Sequence, residues 1–229
     1  RDKIDQAEAV SKDKRWLKML SLLEEPCPYF FSKGVPELFQ WIPLYRGETT
    51  LGHWLGRFTA ISLKDIVTWE FRGIQRYYPD IPAKVYRKGL NTTGSCVVVP
   101  NRMPVDGEPI YVMEAVADSG MSFKLTGCLS VAALYADNIP IVVRELRKRC
   151  PNSPIIIVAD NDQYPDKNGN ATINKGVDIC ELTLRNTQGD TFMIIPQFEA
   201  AEMEKQYKDL TDYCLAYGME KGELLLSNY

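Results

Sequence analysis

Histidine is almost missing from this chain: His53 is the one histidine among 229 residues. A Ser-His-Asp triad, a Cys-His pair or a multi-histidine zinc site would each rest on it. In "TLGHWLGRF" it has no partner motif, and we read it as structural. The six cysteines (Cys27, Cys96, Cys128, Cys150, Cys180 and Cys214) are scattered and form no Cys-x-x-Cys pair. That excludes a zinc ribbon and leaves buried thiols as the simplest reading. No apolar run approaches the roughly 20 residues that cross a bilayer, so no membrane partner is expected. There is no Gly-x-x-x-x-Gly-Lys-Ser/Thr stretch, hence no P-loop motor. The opening "RDKIDQAEAV" has neither an apolar signal core nor an initiator methionine. From this we expect a cytoplasmic protein that is processed or is a piece of a longer one. The formal net charge of −3 excludes a uniformly basic coat but not local basic patches.

What is present is the composition of a globular protein, 45% hydrophobic and 25% charged. "IDQAEAVSKDKRWLKMLSLLEE" carries helical periodicity, with Ala7, Val10, Trp16, Leu17, Leu20 and Leu23 on one face. Pro26 and Pro28 end that helix, and a short one follows from Val35. "DIVTWEF", "GIQRYY", "AKVYRK" and "SCVVVP" read as short antiparallel strands. The turn-rich "NRMPVDGEP" marks a boundary, dividing the chain into an α+β portion at 1–104 and an α/β portion at 105–229. Beyond it strands and helices alternate: "IYVME", a helix closed by Gly127, "CLSVAAL", a helix with Pro140 in its first turn, "PIIIVAD", "NKGVDICELTLRN", "TFMIIP" and a final helix "LTDYCLAYG". Apolar strands separated by amphipathic helices imply a mainly parallel sheet covered on both faces.

Two of those strands end in acids, "IYVME" at Glu114 and "IIIVADND" at Asp160 and Asp162. Ligands of open α/β sheets gather at the carboxyl ends of the strands. If these two strands are neighbours, three carboxylates converge and need a cation to offset their repulsion. An all-oxygen set suits Mg²⁺, or Mn²⁺, rather than zinc. Asp118, four residues after Glu114 on the following helix, is a candidate fourth ligand. The bland alternative for Asp160 and Asp162 is turn capping. Asn174 and Gly176 open a helix whose amides can face a phosphate or simply be capped.

Taken in order, the motifs resemble the Toprim family, and within it the primases of phages, plasmids and other mobile elements. "CPYFFSKGV" and "GIQRYYPDIPAKVYRKGLNTTGSCVVVP" are similar to the two blocks that open those primase cores. "EAVAD" is similar to their EGxxD, "IIIVADND" to IIxAADND, "INKGVDIC" to NxGxxxA, and "DLTDYCLAYG" to a late DFNDLxxxxG. Ala115 stands where the family has glycine, and Leu210 and Thr211 replace Phe and Asn. The resemblance implies a Toprim fold, Rossmann-like, preceded by a mixed α+β primase subdomain. It implies that Glu114 acts as a metal ligand or in proton transfer, that Asp160 and Asp162 hold Mg²⁺, and that Asp118 is the second acid of the primase pattern. The implied activity is DNA primase nucleotidyl transfer, with a single-stranded DNA template and nucleoside triphosphates as partners. A replicative helicase, or other domains of a longer replication protein, would be further partners.

The template has to be held by something other than acids. Arg72, Arg76, Lys84, Arg87, Lys88 and Arg102 face a single acid, Asp80, in that stretch, with Tyr77, Tyr78 and Tyr86 interleaved. Backbone neutralisation combined with base stacking is what single-strand binding needs. The lysines and arginines of the first helix, and those of "RELRKR", read as solvated. Two other functions share these residues: a Toprim nuclease, which would also draw on Glu199, Glu202 and Glu204, and a non-catalytic module that binds single-stranded DNA.

Overall fold

The computed structural model describes residues 2–49, 56–79, 84–163 and 173–229, so His53 and Asp80 lie outside the described residues. The chain divides into two compact units, residues 1–97 and 98–229, a little before the boundary expected at 104/105.

The first unit opens with α1 (Asp2–Leu17) and β1 (Ser21–Leu22), then the short helices α2 (Pro28–Ser32) and α3 (Leu38–Trp41). An antiparallel sheet follows: β2 (Leu44–Thr49), β3 (Gly56–Asp65), β4 (Phe71–Tyr77) and β5 (Lys84–Val85), with β6 (Ser95–Val99) pairing to the end of β3. The first helix ends at Leu17, well before Pro26 and Pro28, and Pro28 instead opens α2, where its missing N–H costs nothing in a first turn. The buried face of α1 runs through Ala9 and Asp13, and Trp16 and Leu17 pack onto Phe58, Ile74 and Tyr78. Ala7, expected on that face, is exposed. An aspartate is accepted there because both of its oxygens are used. Oδ1 pairs with Arg87 Nε at 2.5 Å, and Oδ2 accepts the Ile74 N–H at 3.1 Å.

"DIVTWEF" is not a strand but the turn between β3 and β4. Asp65 Oδ1 accepts the N–H groups of Val67 and Thr68 at 2.9 and 3.0 Å, and Trp69 has a φ of 64°. This side-chain-to-backbone turn overrides the β preference of Ile66, Val67 and Thr68.

The second unit alternates as expected: β7 (Ile110–Met113), α4 (Val116–Thr126), β8 (Leu129–Ala132), α5 (Ile139–Arg149), β9 (Ile155–Val158), α6 (Lys175–Asn186) and β10 (Thr191–Ile194). The four strands are parallel in the spatial order β8–β7–β9–β10. Every residue of β7, β8 and β9 is buried, which is why these runs are apolar without alternation. Gly127 closes α4 in the left-handed conformation at φ 67°. Three helices complete the unit: α7 (Ala200–Glu204), α8 (Leu210–Tyr217) and α9 (Met219–Ser227).

α8 is therefore not the last helix. Gly222 sits inside α9 and weakens its helical signal in the sequence. It is there because a Cβ at that point would fall 2.5 Å from Cys214 Sγ. All six cysteines are free thiols, five of them buried and Cys128 half-buried. Burial pushes Cys96, Cys180 and Cys214 up to about 12, which removes them as nucleophiles near neutrality. Among the described residues no helix is long and apolar enough to cross a membrane.

Candidate active site

From β7 the chain crosses through α4 to β8 on one side. It then returns through α5 to β9 on the other side of β7. The space beyond the carboxyl ends of β7 and β9 is thus the point where the strand order reverses, the usual ligand position in such sheets. Pairing of Val112 with Ile157 brings the two strand ends level. Glu114 follows one of them and Asp160 the other. Ala115, between β7 and α4, has φ −99° and ψ 152°, a conformation an alanine adopts without strain.

Asn161, the residue between the two aspartates, is a buried hub. Its main-chain N–H donates to Lys208 O at 2.8 Å, its Nδ2 to Pro196 O at 2.7 Å, and its Oδ1 accepts from Asn174 Nδ2 at 2.7 Å. Asn174 in turn caps α6 and accepts the Asp162 N–H at 3.1 Å. Gly176 lies against the strand end itself, since a Cβ there would meet the Asp160 carbonyl oxygen at 2.5 Å. Asn174 and Gly176 therefore hold α6 onto the acidic edge: the first by hydrogen bonds, the second by close approach.

Two residues at this edge were not singled out from the sequence. Lys208 reaches both aspartates, with Nζ 3.4 Å from Asp160 Oδ2 and 3.1 Å from Asp162 Oδ1. Asp209, nearly buried, caps α8 by accepting the Asp212 N–H at 2.8 Å and the Thr211 hydroxyl at 2.7 Å. The only signal in the chain for Asp209 was its place as the first acid of "DLTDYCLAYG"; nothing pointed to Lys208.

Burial raises Asp160 to about 7, helped by the negative charges of Glu114 and Asp209 and opposed by Lys208. For Lys208, burial works against the charged form. Asp160, Asp162 and Glu114 outweigh it and hold the ammonium well above its usual value. Glu114, Asp209 and Asp162 thus each act on Asp160, with the Lys208 ammonium opposing them.

The acids are not drawn into a tight cluster. Among the described residues no three His, Cys, Asp or Glu side chains sit close enough to hold a metal ion as they stand. Asp160 and Asp162 instead share the Lys208 ammonium. The donor set still fits a hard divalent ion: it is all oxygen, and Asp160 and Asp162 already hold a cation. Asp118 is fully covered and accepts the Thr211 N–H at 2.9 Å, so it docks α4 onto the first turn of α8. Glu199 and Glu204 lie on or beside α7, where Glu202 faces Tyr217 and Lys205.

In the first unit the basic stretch carries less net charge than its sequence suggests, because acids from elsewhere come to it. Arg72 pairs with Asp65 at 2.5 Å and Arg87 with Asp13. Arg102, in the second unit, makes a two-pronged pair with Glu108 at 2.6 and 2.7 Å. Tyr77 and Tyr78 are core residues, and Tyr86 bonds to Gln75, so these rings are not a stacking platform. The aromatic beside the cations is the half-buried Trp16 of α1, with Arg76 and Arg87 at 5.2 and 5.4 Å from its ring. Lys12 and Arg15 join Arg76 and Arg87 around Trp16 in a cleft of about 460 Å³. Lys88 lies in an adjoining cleft of about 540 Å³ that Asp5 and Glu8 also line. Lys12 and Arg15 of α1, expected to be merely solvated, thus line this cleft. Lys84 lies in β5, paired opposite Tyr77.

No protein-family model matches the sequence, and no curated protein matches it. Solved structures do resemble it. The primase fragment of the bacteriophage T7 primase–helicase protein superposes with a TM-score of 0.57 at 12% identity, covering 87% of this chain and 73% of that one. A chain of a second bacteriophage T7 structure superposes with a TM-score of 0.52 at 13% identity, covering 77% of this chain and 83% of that one. In that structure the lagging-strand DNA polymerase interacts with primase domains bound to an RNA/DNA hybrid and dTTP. The chain is similar in fold to these primase structures, a mixed α/β architecture with a largely parallel sheet flanked by helices in its second unit.

Proposed function

We propose that this chain is the catalytic core of a Toprim-type DNA primase, making short primers on single-stranded DNA from nucleoside triphosphates in the cytoplasm for a phage, plasmid or other mobile element. The observation that carries this is the acidic edge at the point of strand-order reversal, where Glu114, Asp162 and Asp209 act on Asp160. The likeness in fold to primase structures, one of them holding an RNA/DNA hybrid and dTTP, supports it.

In this reading Glu114, Asp160 and Asp162 hold Mg²⁺ or Mn²⁺, with Asp209 beside them. When bound, the ion activates a hydroxyl and offsets the charge of the leaving pyrophosphate. Asn161 and Asn174 fix the direction of the two aspartates. Asp118 sets the position of α8, and through it of Asp209. The template is held by the basic surface around Trp16, with Arg76, Lys84, Arg87 and Lys88 assigned to phosphates and Arg72 to shaping the β3–β4 turn that supports it. Arg76→Glu should weaken single-stranded DNA binding for all sequences alike. It should also lower the slope of log K against log salt by about 1; an unchanged slope would remove Arg76 from phosphate contact.

The function is tested by supplying mixed-sequence single-stranded DNA and labelled nucleotides with Mg²⁺, Mn²⁺ or EDTA. Short products that vanish with EDTA are expected. Template cleavage without synthesis would make the chain a nuclease, and neither outcome would leave a binding module.

A further inference from the structure

Lys208 is held at three points. Its main-chain N–H donates to Asp212 Oδ2 at 3.1 Å, its carbonyl accepts from Asn161 N at 2.8 Å, and its ammonium lies between Asp160 and Asp162. The backbone is thus fixed by groups that make no use of the side chain, and the side chain is about one-third exposed. It can leave its carboxylates without any main-chain movement. The oxygens it occupies are the ones that the proposed function assigns to a divalent ion, so ammonium and ion compete for the same acceptors.

We infer that Lys208 is a built-in counter-ion that keeps the acidic edge assembled, is displaced when a divalent cation binds, and then serves as a phosphate-binding cation for the incoming nucleoside triphosphate. This rests on the metal-dependent reading above. Three observations support it. One ammonium is shared by two carboxylates, Asp160 and Asp162, at 3.4 and 3.1 Å, a pair that a doubly charged ion offsets better than a single charge does. The lysine stem is flexible and tipped by a compact charge, suited to changing partners where an arginine fork would stay with one carboxylate. Finally, Lys208 immediately precedes Asp209, whose side chain caps α8, so a displaced ammonium stays tethered beside the edge. The consequence is ordered binding: the ion first, and then the triphosphate.

The test is Mn²⁺ binding by calorimetry to the whole chain and to Asp160→Asn, Lys208→Met and Lys208→Arg. Lys208→Met should bind Mn²⁺ about tenfold tighter than the natural chain, while triphosphate binding at saturating Mn²⁺ becomes about tenfold weaker. Lys208→Arg, which keeps the charge on a fork that stays with its carboxylate, should bind Mn²⁺ no more tightly than the natural chain. Equal Mn²⁺ affinity in the natural chain and Lys208→Met, with binding lost in Asp160→Asn, would overturn the counter-ion role and leave the metal reading standing. Absence of Mn²⁺ binding in the natural chain would overturn both. A measurement without variants covers a Lys208→Met protein that fails to fold: modification of Lys208 by an amine reagent, followed by mass spectrometry. Addition of Mn²⁺ should speed it, and an unchanged rate overturns the displacement.

Discussion

Asp160→Asn should lower primer synthesis by at least about a hundredfold, the usual scale for removing a group that stabilises transition-state charge, while making the metal-free protein harder to melt. The second effect follows from linkage. Asp160 is raised to about 7, first by burial and then by Glu114 and Asp209, against about 3.9 in an unfolded chain. An acid whose pKa is raised on folding favours the folded state while it stays protonated. That advantage is full below about pH 4 and is lost as pH rises toward about 7. Asparagine has no charge to bury, so the variant gains on the natural protein across this window and keeps its lead above it. In EDTA above neutrality we expect a melting temperature several degrees higher for Asp160→Asn, and no difference near pH 4. Adding Mg²⁺ should reverse the order, because only the natural chain keeps the full ligand set. Thermal melts at a series of pH values check this; a variant less stable than the natural chain in EDTA above neutrality would remove the carboxylate crowding described here.

Gly176→Val is the second large effect. In an ordinary helix, replacing glycine by alanine stabilises by about 1 kcal/mol. At Gly176 a Cβ would fall 2.5 Å from the main-chain oxygen of Asp160, and a backbone atom in a buried strand end has little room to retreat. Gly176→Ala should therefore destabilise by roughly 1–3 kcal/mol, with Gly176→Val at or beyond the upper end. Both should lose synthesis along with stability, since the displaced group carries Asp160. The sign is decisive: if Gly176→Ala melts higher than the natural protein, α6 does not press on the acidic edge.

Much of the second unit was legible. The unbroken apolar runs in β7, β8 and β9 announced a sheet buried on both faces, and Gly127 and Pro140 marked helix ends where the structure has them. Glu114 and Asp160 could be placed together because strand ends are where such sheets gather polar groups. What stayed hidden depends on partners far apart in the chain. Lys208 and Asp209 are held at the edge by Asn161, which bonds across to Lys208, and by Asp118, which docks α8; an isolated Lys-Asp pair carries no such mark. The basic stretch looked nearly uncompensated, yet Asp13 sits 74 residues from Arg87 in sequence and pairs with it. Tyr77 and Tyr78, read as stacking rings, are core, while the half-buried Trp16 is the ring beside Arg76. "DIVTWEF" misled because β preference is weaker than an Asp65 side chain able to close a turn.

Formation of the first phosphodiester bond, from two nucleoside triphosphates on single-stranded DNA with no primer supplied, tests the central claim most directly. Mass spectrometry of the products reads it. A dinucleotide bearing a 5′-triphosphate, released with one pyrophosphate, is expected in Mg²⁺ or Mn²⁺ and should be absent in EDTA or with Asp160→Asn. Dinucleotide formation that persists unchanged in Asp160→Asn, or its absence from the natural chain under every metal condition while an established primase makes it in parallel, would contradict the assignment of this edge to primer synthesis.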